Sequence, residues 1–520
     1  VSWTFRKQPK FFDIVTYTGN GTAGRTISHN LGSVPGFIIV KRLNGSDNWT
    51  CYHRGVDSTA PENYILYLND TAARSDQDLW ADTAPTSSVF SVGDNVKVNG
   101  SSSNTYVAYL FAHNNSDGGF GPDSEDIIKC GSYTGNAGNP QVIDVGFEPQ
   151  FLMVKAASTS GDWFVVDNMR GVLPNGDYPC NNLYWNKADA ETLAGSFGFF
   201  ANGFTAAQSS NTNGNGVKFI YMAIRRGGMS TPTVASSVFA ATDMSSSTLA
   251  NTGFAVDLSI DSQRTSSSSN FVNDRLRGSG VYMNTDGTTA EQTGGSRHFD
   301  SNQGVIYTSA FTGINWSWKR ARGYFDMVAY TGTGSNQTLN HNLGVKPELM
   351  IRKKRNAADS WEVAANITSS GYDLLYLNTT GGATAVTWPN NGLLSAEPTS
   401  TSFQALASSH TFINYLFATV AGVSKVGSFT GNGGDVTVDC GFTNGCKFVL
   451  YKATGSSGQH WRVFDSVRGI NDGNDPAISL NLTSAELTTS DLIDPTTSGF
   501  TAISTIGEEY IFYAIANDPS

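Results

Sequence analysis

Charge is scarce in this sequence, and so are the features on which most functional classes depend. Only 15% of its 520 residues are charged, and the formal net charge is −11. Basic residues occur singly or in runs as short as 353–355, so the concentrated basic face that duplex nucleic acid requires is missing and no nucleic-acid partner is expected. No apolar run approaches the ~20 residues of a spanning helix, which speaks against membrane insertion. The five cysteines (Cys51, Cys130, Cys180, Cys440, Cys446) are odd in number and contain no C-x-x-C pair. Buried free thiols are therefore expected, not a disulfide framework or a zinc ribbon.

The usual signatures of chemistry are missing as well. The seven histidines form neither HxH nor HExxH, and no GxSxG elbow occurs. Glu508 and Glu509 are adjacent, so in a strand they would face opposite sides and could not flank one glycosidic bond. The loop Asn471 to Pro476, "NDGNDP", is rich in oxygen ligands but lacks the order of a calcium loop, and is expected to be solvated. No catalytic, cofactor-binding or metal-binding residue is assigned, no cofactor is expected, and no ligand-binding residue can be named. The opening "VSWTFRKQPK" has no Met, charged n-region or apolar h-region, and reads as cut from something longer.

What the sequence has in quantity is glycine, serine, threonine, asparagine and aromatics, arranged in repeats. An opener recurs as "YTGNG" (Tyr17), "YTGNA" (Tyr133), "YTGTG" (Tyr330) and "FTGNG" (Phe429). An apolar run follows each: "PGFIIVKR" (Pro35), "PQFLMVKA" (Pro149), "PELMIRKK" (Pro347) and "CKFVLYKA" (Cys446). A degenerate copy, "GFAVDLSIDS" (Gly253), lacks the opener. An aromatic comes next in every copy, at Trp49, Trp163, Phe271, Trp361 and Trp461, then a short strand ending in Asn69, Asn186, Asn284, Asn378 or Asn481. Each copy closes on an aromatic-rich strand such as "TYVAYLFAH" (Thr105) or "EYIFYAIA" (Glu509).

The copies are also ordered. The first shares "HNLG" with the fourth (His29, His341), the second shares "DxGF" with the fifth (Asp144, Asp439), and the end of the third, "INWSWKRARGYFD" (Ile314), matches the start of the chain, "VSWTFRKQPKFFD". A three-repeat module thus occurs twice. Residues 1–11 read as the last strand of a truncated upstream repeat, followed by repeats at 12–121, 122–228, 229–321, 322–421 and 422–520.

Short β-branched and aromatic runs between Gly, Asn, Asp and Ser turns predict an all-β fold, a tandem array of ~100-residue β-sandwich domains. No stretch shows the apolar periodicity of a long helix. The four tryptophans are expected between the two sheets of each sandwich, and not on an exposed sugar-binding platform. The pairs Asp167/Arg170, Asp274/Arg277 and Asp465/Arg468 are read as turn-fixing. His29 and His341 are exchanged for Asp144 and Asp439 in the sister copies, which favours turn formation over acid–base work.

The combination "FDxVxYTGxG", "HNLGxxP", "GFEPQFLMVK", "DWFVVDNMRG" and "YMAIRRG" resembles a repeat family of tail-fibre and tail virion proteins from tailed phages, marine and cyanobacterial ones above all. The resemblance covers nearly the whole chain. It implies a structural protein of the virion, a tail fibre or tail appendage without enzymatic activity that takes part in host-surface attachment. The partners it implies are other virion proteins, further copies of itself as a homo-oligomer, and host-surface glycan or receptor. A capsid-surface or neck fibre and a fibre-borne polysaccharide depolymerase are the alternatives. Sandwiches joined by segments such as Asn114 to Asp126 are expected to form a rod in which each repeat contacts its sequence neighbours.

Overall fold

A computed structural model describes residues 2–121, 123–138, 140–173, 180–227, 230–368, 371–384, 392–455 and 458–518. The fold is all-β, 45% strand and 3% helix. Its two α-helices among these residues, Val96–Asn99 and Ser210–Asn213, are single turns capped by Asn95 and Ser209.

One strand order recurs five times. In the second repeat the opening strand Ile128–Thr134 pairs with the closing strand Lys218–Arg225. The closing strand pairs in turn with the central strand Pro149–Ala156, which leads on to Trp163–Asp167, Cys180–Tyr184 and Thr192–Ala194. A small sheet of Gln141–Asp144, Gly203–Ala206 and Phe197–Phe200 covers one face. The other four repeats build the same large sheet and a small sheet of two or three strands, all antiparallel. The third repeat conforms even without the opener motif: Phe239–Asp243 takes the opening place beside Ile314–Trp318.

The opener motif has a local cause. Its aromatic stacks on the first aromatic of the closing strand, in pairs Tyr17–Tyr106, Tyr133–Phe219, Tyr330–Phe412 and Phe429–Tyr510 at 4.8–5.1 Å between centroids. Its glycine lies against a loop carbonyl. A Cβ on Gly19 would sit 2.1 Å from the carbonyl oxygen of Gly100, and one on Gly431 2.0 Å from that of Thr505, so no other residue fits.

The chain forms two compact units, Val1–Asn168 with Val172–Gly228, and Met169–Gly171 with Met229–Ser520. In both, the central strands are buried on both faces. In the second repeat Leu152 and Val154 meet Phe197 and Phe204 of the small sheet, forming the sandwich core. Phe151 and Met153 point the other way and join Phe37 and Ile39 of the first repeat in another core. Each large sheet therefore packs a small sheet on one side and a neighbouring repeat on the other.

In the second unit this outer packing closes into a ring of three. Ile260, Ile351 and Leu450, from corresponding places in the three central strands, line a shared centre whose void is only about 30 Å³. Repeat five thus meets repeat three as well as its sequence neighbour, and the expected string of neighbour contacts is replaced by a closed pseudo-threefold cluster. Separate apolar faces force this outcome: a large sheet buried only by its own small sheet would leave its outer face in water.

Candidate functional site

The residues singled out by sequence converge on the seams between repeats. Trp163, Trp361 and Trp461 are at most 1% exposed, as expected, but they leave their own sandwich and insert against the preceding repeat. Their indole N–H groups donate to main-chain carbonyls there: Trp163 to Tyr67 (2.9 Å), Trp361 to Asn284 (2.7 Å) and Trp461 to Tyr376 (2.9 Å). The asparagine that ends the following strand explains its recurrence. Its side-chain oxygen accepts the tryptophan main-chain N–H, as in Asn69 to Trp49, Asn186 to Trp163, Asn378 to Trp361 and Asn481 to Trp461.

The third repeat corrects the sequence alignment. Leu258 pairs with Asp274 as Phe448 pairs with Asp465, so Asn270, four residues before the aspartate, holds the tryptophan place, and Phe271 does not. Asn270 donates to the carbonyls of Ser479, Leu480 and Leu482 in repeat five, and Asp286, not Asn284, accepts its main-chain N–H. The seams of the second unit then run round a full circle, from repeat three to five, five to four and four to three.

A buried lysine reinforces the same seams. Lys155 Nζ donates to the carbonyls of Thr71 and Ala72, Lys353 Nζ to that of Thr288, and Lys452 Nζ to that of Thr380. Burial pushes all three ammonium groups down to about 8. An unfolded lysine titrates near 10.4, so between about pH 8 and 10.4 each of these lysines keeps its proton longer in the unfolded chain, and its own contribution to stability rises with pH across that window. Below pH 8 both states are charged and the burial cost is fully present. Buried thiols and phenols titrate in the opposite sense, so the measurement is a difference: the unfolding free energy of the second unit in Lys353→Met, relative to the parent protein, should fall progressively from pH 8 to 10, by up to about 3 kcal/mol. A difference that stays constant with pH would count against this assignment.

The carboxylate pairs also belong to seams. Asp465 accepts from Arg468 Nε (2.6 Å), from the main-chain N–H of Val467 and Arg468, and from Trp316 Nε1 of repeat three (2.9 Å). Asp274 is bonded to Arg277 and accepts from the Tyr415 hydroxyl of repeat four (2.6 Å). In the first unit Asp167 accepts from Trp3 Nε1 (3.1 Å). The expected turn-fixing role holds for Asp274 and Asp465; the indole or phenol arriving from another repeat gave no signal in the local motif.

Other candidates serve the backbone. His29 and His341 accept the N–H two residues on through Nδ1, and Asp144 and Asp439 do the same through Oδ1, so the exchange of His for Asp preserves one turn. Asp475 is not solvated. It is fully buried and accepts from the N–H groups of Asn471, Leu492 and Ile493. Glu508 accepts from Gly455 N–H. All five cysteines are buried and unlinked. Among the described residues no cluster of three His, Cys, Asp or Glu could hold a metal ion, and no helix is long and apolar enough to cross a membrane.

One place differs from this pattern. In the first unit a groove of about 620 Å³ opens between the two large sheets, bordered by Trp3, Phe5, Trp49, Tyr109 and Trp185. Trp49 is only partly buried; its ring lies on Tyr109, and its Nε1 makes no seam bond among the described residues. Lys41, at the place of Lys155, turns back to carbonyls of its own loop at Gly45 and Asp47.

No curated protein matches this chain. A family model described as a domain of unknown function, DUF7483, matches residues 6–226 and 233–519, following the two units, and the second span takes in three repeats where the first takes in two. By the extent of that match, the chain belongs to the DUF7483 family.

Proposed function

We propose that the protein is a structural, non-enzymatic component of a phage virion, a tail fibre or tail appendage that presents its β-repeats to the host surface. The observation that carries this reading is the use made of its chemically capable side chains. The histidines of the "HNLG" turns, Asp144, Asp439 and Asp475 hold main-chain N–H groups, and Asp274 and Asp465 hold seams, which is the economy of a scaffold. The sequence resemblance supports the same reading. Polar turns at the sandwich ends would offer many weak contacts that add through effective concentration.

Gold-labelled antibody against the protein should decorate intact virions at the tail, and the purified protein should bind host cells and compete with phage adsorption. Label on the capsid or neck would move the assignment to a surface or neck fibre. Absence from virions would overturn the reading, and release of sugars from host envelope polysaccharide by purified protein would replace it with a depolymerase.

A further inference from the structure

We infer that Cys440 and Cys446 form a redox-switched staple, a disulfide that closes when the protein meets an external disulfide and that ties the small sheet of repeat five to its large sheet. The two positions stand out by comparison with repeat two. There Asp144 pairs with Gly203, and Pro149 pairs with Arg225 just ahead of a bulge. In repeat five Asp439 pairs with Gly499, and Cys446 pairs with Ala516, again just ahead of a bulge. Cys440 therefore stands where Val145 does, and Cys446 where Pro149 does. The connection from the small sheet to the large one is also two residues longer in 439–446 than in 144–149. Repeat five thus lacks the proline that stiffens this connection and carries a thiol near each end of it.

The two sulfurs meet over Gly499. Cys446 Sγ donates to the Gly499 carbonyl (3.2 Å), and a Cβ placed on Gly499 would lie 3.2 Å from Cys440 Sγ. The thiols are hydrogen-bonded to each other, and that bond, together with burial, holds the Cys446 thiol well above the usual range. The turn that brings them together stands without a disulfide. Gly441 and Gly445 take the left-handed region at φ +71° and +72°, the N–H groups of Cys440 and Phe442 donate to Ser498, and that of Gly445 donates to Thr497. Closure needs only that the sulfurs draw together within a turn already formed. The other thiols are placed differently. Cys51, Cys130 and Cys180 are at most 1% exposed and face the carbonyls of Trp49, Ala112 and Ala194, whereas Cys440 and Cys446, at 7% and 5%, are the most exposed of the five.

The reaction is thiol–disulfide exchange with a small external disulfide, RS–SR. One cysteine, as thiolate, attacks a sulfur of RS–SR and expels RS⁻, which takes up a proton; the second cysteine loses its proton and attacks the protein sulfur of the mixed disulfide, expelling the other RS⁻. Two protein S–H bonds give way to one S–S bond, and RS–SR, the electron acceptor, is reduced by two electrons to two RSH. A thiol held above its usual range supplies little thiolate at neutral pH, so closure should quicken as pH rises, and the pair should stay open in a reducing cytosol. Once closed, the bond supplies the restraint that Pro149 gives repeat two.

The test takes the full 520-residue protein, folded and reduced, into excess oxidised glutathione at pH 8, quenches it with acid and counts thiols by alkylation in denaturant. The alkylatable cysteines should fall by two, from five to three. Cleavage after Phe442 should leave the fragments carrying Cys440 and Cys446 joined until a reductant is added. The closed form should have a higher urea midpoint for the second unit, and its amides 441–446 should exchange at least about tenfold more slowly than in the reduced form. Neither change should occur in Cys446→Ser, whose hydroxyl can keep the bond to Gly499. Five thiols still alkylated, glutathione held on Cys440 or Cys446 without an internal bond, or a bond formed only between two copies overturns the inference. Closure that moves neither the midpoint nor the exchange overturns the staple. Should Cys446→Ser fail to fold, the oxidised and reduced forms of the parent protein still decide, since they share one sequence.

Discussion

Replacing Trp461 with alanine should destabilise the second unit by about 4–6 kcal/mol. Removing a fully buried large aromatic costs about 3–5 kcal/mol, and the carbonyl of Tyr376, which accepts the indole N–H at 2.9 Å, loses its donor at a further ~1 kcal/mol or more. Against a domain stability of about 5–15 kcal/mol, this is enough to separate repeat five from its neighbours at moderate temperature. The same change at Trp49 should cost about 1–2 kcal/mol, because this ring has one face on Tyr109 and no seam acceptor. Urea unfolding of both variants, with each unit followed separately because a chain of two units need not unfold in one step, measures the difference. Equal losses at the two positions would refute the assignment of Trp461 to a seam and of Trp49 to an open edge.

That contrast marks where the sequence was readable and where it was not. The repeat, its strands and the burial of tryptophan follow from local pattern, since turn glycines and aromatic runs act over a few residues. Which sheet buries the tryptophan does not, because strand pattern fixes alternation but not the partner of each face. A signal was present in "GFIIVKR" and "FLMVKA": an apolar run without polar alternation belongs to a strand covered on both faces, which requires a neighbour beyond the repeat's own small sheet.

The third repeat failed for a related reason. Aligning Phe271 with the tryptophans slips the register by one residue, and a one-residue slip exchanges the two faces of a strand. Phe271 lies beneath the guanidinium of Arg297, at 4.5 Å, on the side of the small sheet, while Asn270 faces repeat five. The aspartate that anchors the register, Asp274, was visible in "NDRLRG", and counting back from it would have placed Asn270. The Trp316 to Asp465 bond spans 149 residues, and no local motif encodes a partner at that distance.

Asp465 is where loss of one side chain should be felt through two repeats. Its carboxylate is completely enclosed and serves four donors, three from its own turn and one from Trp316. In Asp465→Ala the Arg468 guanidinium would stay buried with only Val463 O and Glu486 as partners, and the indole of Trp316 would lose its acceptor. Breaking one side of a buried pair costs about 3–5 kcal/mol, more than the pair itself contributes, and here the remaining charge is compensated only in part, by Glu486, which it shares with Arg264. The double variant Asp465→Ala with Arg468→Met should therefore be more stable than Asp465→Ala alone, since it removes the stranded charge while retaining most of the arginine's apolar contacts. Glu486 keeps Arg264 at 3.1 Å in that background, so no second orphan is created. Denaturant titration of the two single variants and the double should give a coupling energy of at least about 2 kcal/mol. Additive losses would mean that Asp465 acts through its turn amides alone, and the seam between repeats three and five would then rest on Asn270, Thr285, the Arg264–Glu486 pair and the apolar contacts at the centre.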